Sequence, residues 1–190
     1  MLFQIGSLLV STLFGFFVFL LLLRFYMQLL RAPFRNPVGE FVTTLTSWMV
    51  LPVRRLIRGW WGLDWASLLL AWLAETIMLF LLQSMRGYAL GSNPGIALAL
   101  LLAIAALELA RYSIYLLIGV VLLQVVLSWL SPYHLLRGAL DALTRPFYRV
   151  FRRFIPPLGN IDLSPLLVLL AAQIALILLN GLSGQLGRVF

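Results

Sequence analysis

Residues 5–30 read IGSLLVSTLFGFFVFLLLLRFYMQLL, and the only charge among them is Arg24. About 20 mostly apolar residues in a helix cross the hydrocarbon core of a bilayer. The stretch therefore predicts a membrane span from about Ile5 to Leu30, with Arg24 and Gln28 in its last turns. Three more apolar tracts follow. Trp65 to about Leu82 predicts a second span, and Pro165 to about Asn180 another. Between them Ile96 to Leu130 is apolar for roughly 52 Å of helix at 1.5 Å per residue, too long for one untilted crossing. Glu108 and Arg111 interrupt it at i, i+3, where they share a helix face and can pair. We take Tyr112–Leu130 as the third span. Pro94–Arg111 is then a shorter apolar helix that extends it, lies in the interface or re-enters.

Composition agrees with lipid as the bulk solvent. Of 190 residues, 63% are apolar and 11% charged, and mean hydropathy is +1.03. A soluble domain is about half apolar and a quarter charged, so this chain could not coat a water-facing globule. No basic residue precedes Arg24, and no small-x-small site closes the apolar run. The first span is therefore expected to stay in the mature protein and not to be cleaved as a signal peptide.

The polar residues exclude several chemistries. With no Cys there is no disulfide, thiol nucleophile, thiolate zinc site or iron–sulfur cluster. One His, His134, cannot build a His-rich metal site or a bis-His haem. No cofactor is expected. All fourteen basic residues are Arg, against six acidic ones, for a net charge of +8. The missing Lys fits a GC-rich coding bias. In a chain this apolar, such a surplus points to anionic lipid headgroups and away from nucleic acid.

Ten of the fourteen Arg residues sit in two loops. Arg31, Arg35, Arg54, Arg55 and Arg58 lie between spans one and two; Arg137, Arg145, Arg149, Arg152 and Arg153 lie between spans three and four. The positive-inside rule puts both loops in the cytoplasm. An even number of crossings must then separate them, which four spans satisfy and five do not. Both termini are expected on the side opposite the cytoplasm. Asn36-Pro37, Asn93-Pro94 and Ser164-Pro165 each read as a capping residue before a Pro at the first helical position. Ser131-Pro132 closes span three.

The two halves, residues 1–90 and 91–190, repeat one order of features. A span ends in polar residues, Arg24 and Gln28 or Gln124 and Ser128. Then comes Pro-x-x-Arg, Pro52 to Arg55 or Pro146 to Arg149. A Gly follows, Gly62 or Gly159, and then an Asp motif, Asp64-Trp-Ala-Ser67 or Asp162-Leu-Ser164-Pro165. Eleven residues past each Asp is a polar residue inside the next span, Glu75 or Gln173. The fold expected is an all-α membrane protein with about four transmembrane helices in two tandem parallel repeats.

Each Arg-rich segment, about 37–58 and about 135–155, is also amphipathic. Phe41, Leu45, Trp48, Met49, Pro52, Val53 and Leu56 recur at helical spacing, as do Leu136, Leu140, Leu143, Phe147, Val150, Phe151 and Phe154. Helices of this kind lie in the interface, with apolar faces in acyl chains and guanidiniums at phosphates. Pro52 and Pro146 should kink or break them. Arg54, Arg55, Arg58, Arg145, Arg149, Arg152 and Arg153 are the candidates for binding lipid or a partner. Ordinary topogenic anchoring is the plainer reading of the same residues.

No convergent acid, base and nucleophile set stands out, so no enzyme is expected. Asp64 and Asp162 sit at span entrances, where a carboxylate caps backbone N–H groups and complements the helix dipole. Trp60, Trp61, Trp65 and Trp129 read as interfacial aromatics. Glu75 lies near the middle of span two, where an unpaired carboxylate is costly. Glu75 and Gln173 read either as hydrogen-bonding glue between helices or as part of an ion or proton path.

Gly159-Asn-Ile-Asp-Leu-Ser-Pro165, Arg145-Pro-x-x-Arg149, Arg24-x-x-x-Gln28, Asn36-Pro37 and Pro52-x-Arg-Arg together resemble the YggT family. These are small bacterial integral membrane proteins with relatives in cyanobacteria and chloroplasts. The resemblance covers nearly the whole chain in its two-repeat proteobacterial form. The first repeat departs from the signature, since Gly62-Leu-Asp64-Trp-Ala-Ser67 has no Pro after the Ser, which predicts a looser cap. The resemblance implies an inner-membrane protein without established enzymatic activity. It also implies links to osmotic-stress tolerance, to cell division and membrane organisation, and to haem attachment in cytochrome b6f assembly. Without Cys, this chain could serve such attachment only as a scaffold. The function expected is a scaffold or assembly factor acting through its interfacial helices, on anionic lipid and a membrane-protein partner or a second copy. The alternative is a small transporter or channel subunit in osmotic adaptation.

Overall fold

The structure is a computed structural model that describes residues 2–57, 62–86, 94–130, 135–154 and 162–187. Arg58, Trp60, Trp61, Asn93, Ser131, Pro132, His134, Gly159 and Arg188 lie outside the described residues. Six helices and no strands are found among those described. They are α1 (Leu2–Leu29), α2 (Pro37–Leu56), α3 (Trp65–Met85), α4 (Pro94–Leu130), α5 (Arg137–Phe154) and α6 (Ser164–Gly187).

α1, α3, α4 and α6 are long and apolar enough to span a bilayer. The protein is a multi-pass membrane protein. α2 and α5 carry the charge and are the amphipathic pair. The order long, amphipathic, long occurs twice. In each half the first long helix packs on both of the others, α1 on α2 and α3, α4 on α5 and α6. α1 and α3 run antiparallel, because Gly6 lies against Met85 at one end and Gln28 meets Gly62 at the other.

Local chemistry explains where the helices start and stop. α1 ends in a Schellman turn: Ala32 N–H reaches Met27 O at 2.8 Å, and Arg31 N–H reaches Gln28 O at 3.2 Å. That turn needs a left-handed residue, and Arg31 supplies it at φ 53°. α2 begins at Pro37, with the side-chain Oδ1 of Asn36 accepting from Gly39 N–H at 2.9 Å. Asp64 caps α3. At α6 the carboxylate of Asp162 accepts the Ser164 N–H at 2.9 Å, so the Asp caps where Ser164 was expected to.

One expectation is corrected. Pro52 and Pro146 break neither helix; α2 and α5 each run on through the Pro. Each loses one backbone hydrogen bond there, and the residues on both sides of the Pro pack into the cores: Val50 and Val53 in α2, Leu143 and Tyr148 in α5. Of the three readings left open for residues 94–111, extension of the third span is the one found. Together they form one 37-residue helix, about 55 Å long. Glu108 and Arg111 do not interrupt it because each neutralises the other, at 2.7 and 2.9 Å.

The main core is built around α1. Val18, Leu21, Leu22 and Met27 pack with Val50, Ala66 and Ala71, and with Leu109, Leu116, Leu140 and Leu143 of the second half. A smaller core of Val121, Tyr148 and Val168 joins α4, α5 and α6. The Trp72 indole N–H donates to Leu102 O at 3.0 Å and pins α3 to α4.

Candidate functional site

Each repeat gathers polar groups where its two long helices meet the amphipathic one. In the first repeat the centre is Asp64. Arg54 Nη2 of α2 approaches its Oδ2 at 2.6 Å, and Arg24 Nε of α1 at 3.4 Å. Ser67 Oγ donates to the same oxygen at 2.7 Å. The other arm of Arg24 donates to Thr46 Oγ1 at 2.7 Å and Ser47 Oγ at 3.1 Å, both on α2. Gln28 completes the knot, accepting from Arg54 Nη2 and donating to Gly62 O, each at 2.9 Å. The side chain of Asp64 is fully buried and that of Arg24 is 7% exposed. Two guanidiniums on one carboxylate, with hydroxyls on the remaining donors, make a buried charge tolerable. One carboxylate thus ties three helices together.

The second repeat answers with different residues. Gln124 of α4 takes the place of Gln28: its Oε1 accepts from Tyr148 Oη at 3.0 Å, and its Nε2 donates to Asp141 Oδ1 at 2.6 Å. Tyr148 stands two residues after Pro146, as Arg54 stands two after Pro52. A Tyr there cannot neutralise the Asp, and Arg152, one turn on, pairs with Asp162 instead. The Arg152 guanidinium also stacks 5.5 Å from the Tyr148 ring centre. The counterpart of Arg24, four residues before the Gln, is Val120.

The two knots therefore differ in access. Arg152 is 50% exposed and Asp162 30%. They edge a cleft of about 710 Å³ between α4, α5 and α6, whose apolar floor includes Leu122, Val125, Leu166 and Leu169. Gln124, Ser128, Trp129 and Pro165 also line it. Burial alone would raise the Asp162 carboxyl; hydrogen bonds from Ser164 and Arg152 outweigh it and hold the group below its ordinary value. Burial, followed by the charge of Asp162, pushes the Tyr148 phenol up to about 12, so it stays a hydrogen-bond donor at neutral pH.

The remaining sequence candidates are placed as follows. Arg54 faces inward onto Asp64, while Arg55 is exposed. Arg145, Arg149 and Arg153 are exposed and have no ion-pair partner among the described residues. Glu75 is fully buried in α3, and neither carboxylate oxygen has a hydrogen-bond partner among the described residues. Gln173 is on the outward face of α6. Glu75 and Gln173 are thus not brought together, and the glue expected of Glu75 has no donor among the described residues. Among the described residues no three of His, Asp and Glu converge as metal ligands would.

Sequence reasoning missed Thr46, Ser47, Asp141 and Tyr148. The signal was available for Tyr148: aligning the halves on Pro52 and Pro146 puts it opposite Arg54.

The CCB3/YggT family profile matches twice, over residues 3–85 and 95–183. Those segments coincide with α1–α3 and α4–α6. A Pseudomonas aeruginosa protein is 34% identical over 184 residues, 93% of this chain and 89% of that protein. The YggT protein of Escherichia coli K12 is 32% identical over 164 residues, 85% of this chain and 82% of that protein. A Vibrio alginolyticus protein is 30% identical over 95% of this chain and 96% of its own length. All three are named only as uncharacterised proteins. No solved structure matches the chain. With both halves matched, and relatives aligned over most of their length, the chain belongs to the CCB3/YggT family.

Proposed function

We propose that the chain is a non-enzymatic inner-membrane scaffold or assembly and membrane-organisation factor. It docks anionic headgroups and a membrane-protein partner through its Arg-rich interfacial helices. The positive-inside rule places those helices in the cytoplasm and both termini in the periplasm. One observation carries the reading. Arg145, Arg149 and Arg153 of α5 are exposed and share with Arg152 an arc of about 100° on the helix. Opposite them Phe147, Val150 and Phe154 are exposed and apolar. That arrangement sets unengaged guanidiniums at the depth of lipid phosphates while the other face meets acyl chains.

The test replaces Arg145, Arg149 and Arg153 with Gln and leaves Arg152 to hold Asp162. Photocrosslinking to phosphatidylglycerol and to neighbouring proteins is expected to fall several-fold, with insertion unchanged. Unaltered crosslinking and localisation would overturn the proposal.

A second reading, a small transporter or channel subunit in osmotic adaptation, is favoured by Glu75 alone. A buried carboxyl without a protein partner is the residue such a path would use. Gln173, facing outward, would not belong to it. Liposome flux decides: K⁺ or proton movement that Glu75→Gln abolishes supports transport, and its absence removes the reading.

A further inference from the structure

Gln173 stands nine residues into α6, about 14 Å along its axis and near the middle of a core about 30 Å thick. It is exposed, and no hydrogen bond to it is found among the described residues. An amide facing hydrocarbon without a partner is costly, as a buried unpaired one is in a soluble protein. Seven residues on, Asn180 is exposed too, and its side-chain amide likewise has no partner among the described residues. These two amides lie on one seam. Leu166, Leu170, Gln173, Ile177, Asn180 and Gly184 are spaced 4, 3, 4, 3 and 4 residues apart, and every one is exposed. That is the spacing of the apolar seam of a coiled coil. A Cβ built at Gly184 would meet nothing, so the seam is open to close approach there.

We propose that α6 is the interface between two copies of this chain, paired along this seam with Gln173 and Asn180 hydrogen-bonding to their own counterparts. The self-pairing follows from chemistry. An amide carries both donors and an acceptor, so it complements itself across a twofold axis. Two copies inserted with the same orientation can be related only by an axis along the membrane normal. α6 then meets α6 in parallel, and equal depths face each other. A Gln layer and an Asn layer one heptad apart fix the register, as a buried polar residue does in soluble coiled coils. The proposal is independent of what α5 docks.

The chain has no Cys, which makes the test direct. Single Cys variants are oxidised in native membranes. Ile177→Cys and Leu170→Cys, on the seam, are expected to give a disulfide-linked dimer. Leu178→Cys, equally exposed but turned about 100° away, is expected to stay monomeric. Adding Gln173→Leu with Asn180→Leu to Ile177→Cys should lower the dimer roughly fivefold or more. Helicity and elution in detergent serve as the folding control. Equal crosslinking at Leu178→Cys would overturn the proposal. So would no dimer at Ile177→Cys, adducts with another protein in its place, or indifference to loss of both amides.

Discussion

Asp64 and Asp162 occupy matching positions and carry different weight. Asp64 is fully buried under two Arg, so removing it leaves Arg24 as an uncompensated buried charge. Asp64→Ala is expected to destabilise the protein by about 3–5 kcal/mol. Asp162→Ala removes a half-exposed pair and the cap of α6, and should cost about 1–2 kcal/mol. Denaturant unfolding of both variants in the same detergent measures the contrast. The pH dependence follows from the lowered carboxyl of Asp162. A depressed folded value means the tie stabilises above the unfolded value, 3.8, and is lost as pH falls through the folded one. The stability gap between the native chain and Asp162→Asn should therefore stay constant from about pH 7 to about pH 5 and close only below the carboxylate range. A gap that changes near neutrality would show that another group controls it.

At the scale of elements, the end of α1 holds a local conflict. The Schellman turn wants Gly, and the chain places Arg31 there at φ 53°. Left-handed geometry costs an L-residue about 1–2 kcal/mol. Arg31→Gly is expected to raise stability by about 1 kcal/mol, read as a higher unfolding midpoint. If it lowers the midpoint, the Arg31 side chain contributes more than its backbone costs. α2 and α5 also diverge. α2 has Phe41, Leu45, Trp48 and Leu51 exposed, and one of its two Arg turned inward; α5 has its Arg face open. The duplicated helix has kept its place in the fold and changed its surface.

At the scale of the whole molecule, the spans and the amphipathic pair were legible because hydropathy and a 3.6-residue period are local properties. Continuity of α4 was less so. Glu108 and Arg111 read as an interruption, and the contact that shelters them, Arg111 Nη2 to Ser183 Oγ at 2.9 Å, joins residues far apart in sequence. The paired Asp motif was legible; its unequal burial was not, since that depends on Arg24 facing Thr46 and Ser47 across two helices. Sidedness is open to experiment. Single Cys residues at Gln4 and at Gly138 should label from opposite sides of the membrane with an impermeant maleimide. Same-side labelling would reject the four-span topology.

α4 is about 55 Å long, and α3, 21 residues, about 32 Å. The first exceeds the 40–45 Å of a bilayer with its headgroups, while the second matches the hydrocarbon core. Lipids against the two flanks thus meet hydrophobic walls of unequal height. The annulus around the protein must be graded in thickness, by tilt of α4 or by local stretching of acyl chains, at fractions of a kcal/mol per Å. Shortening the surrounding acyl chains therefore burdens α4 before α3.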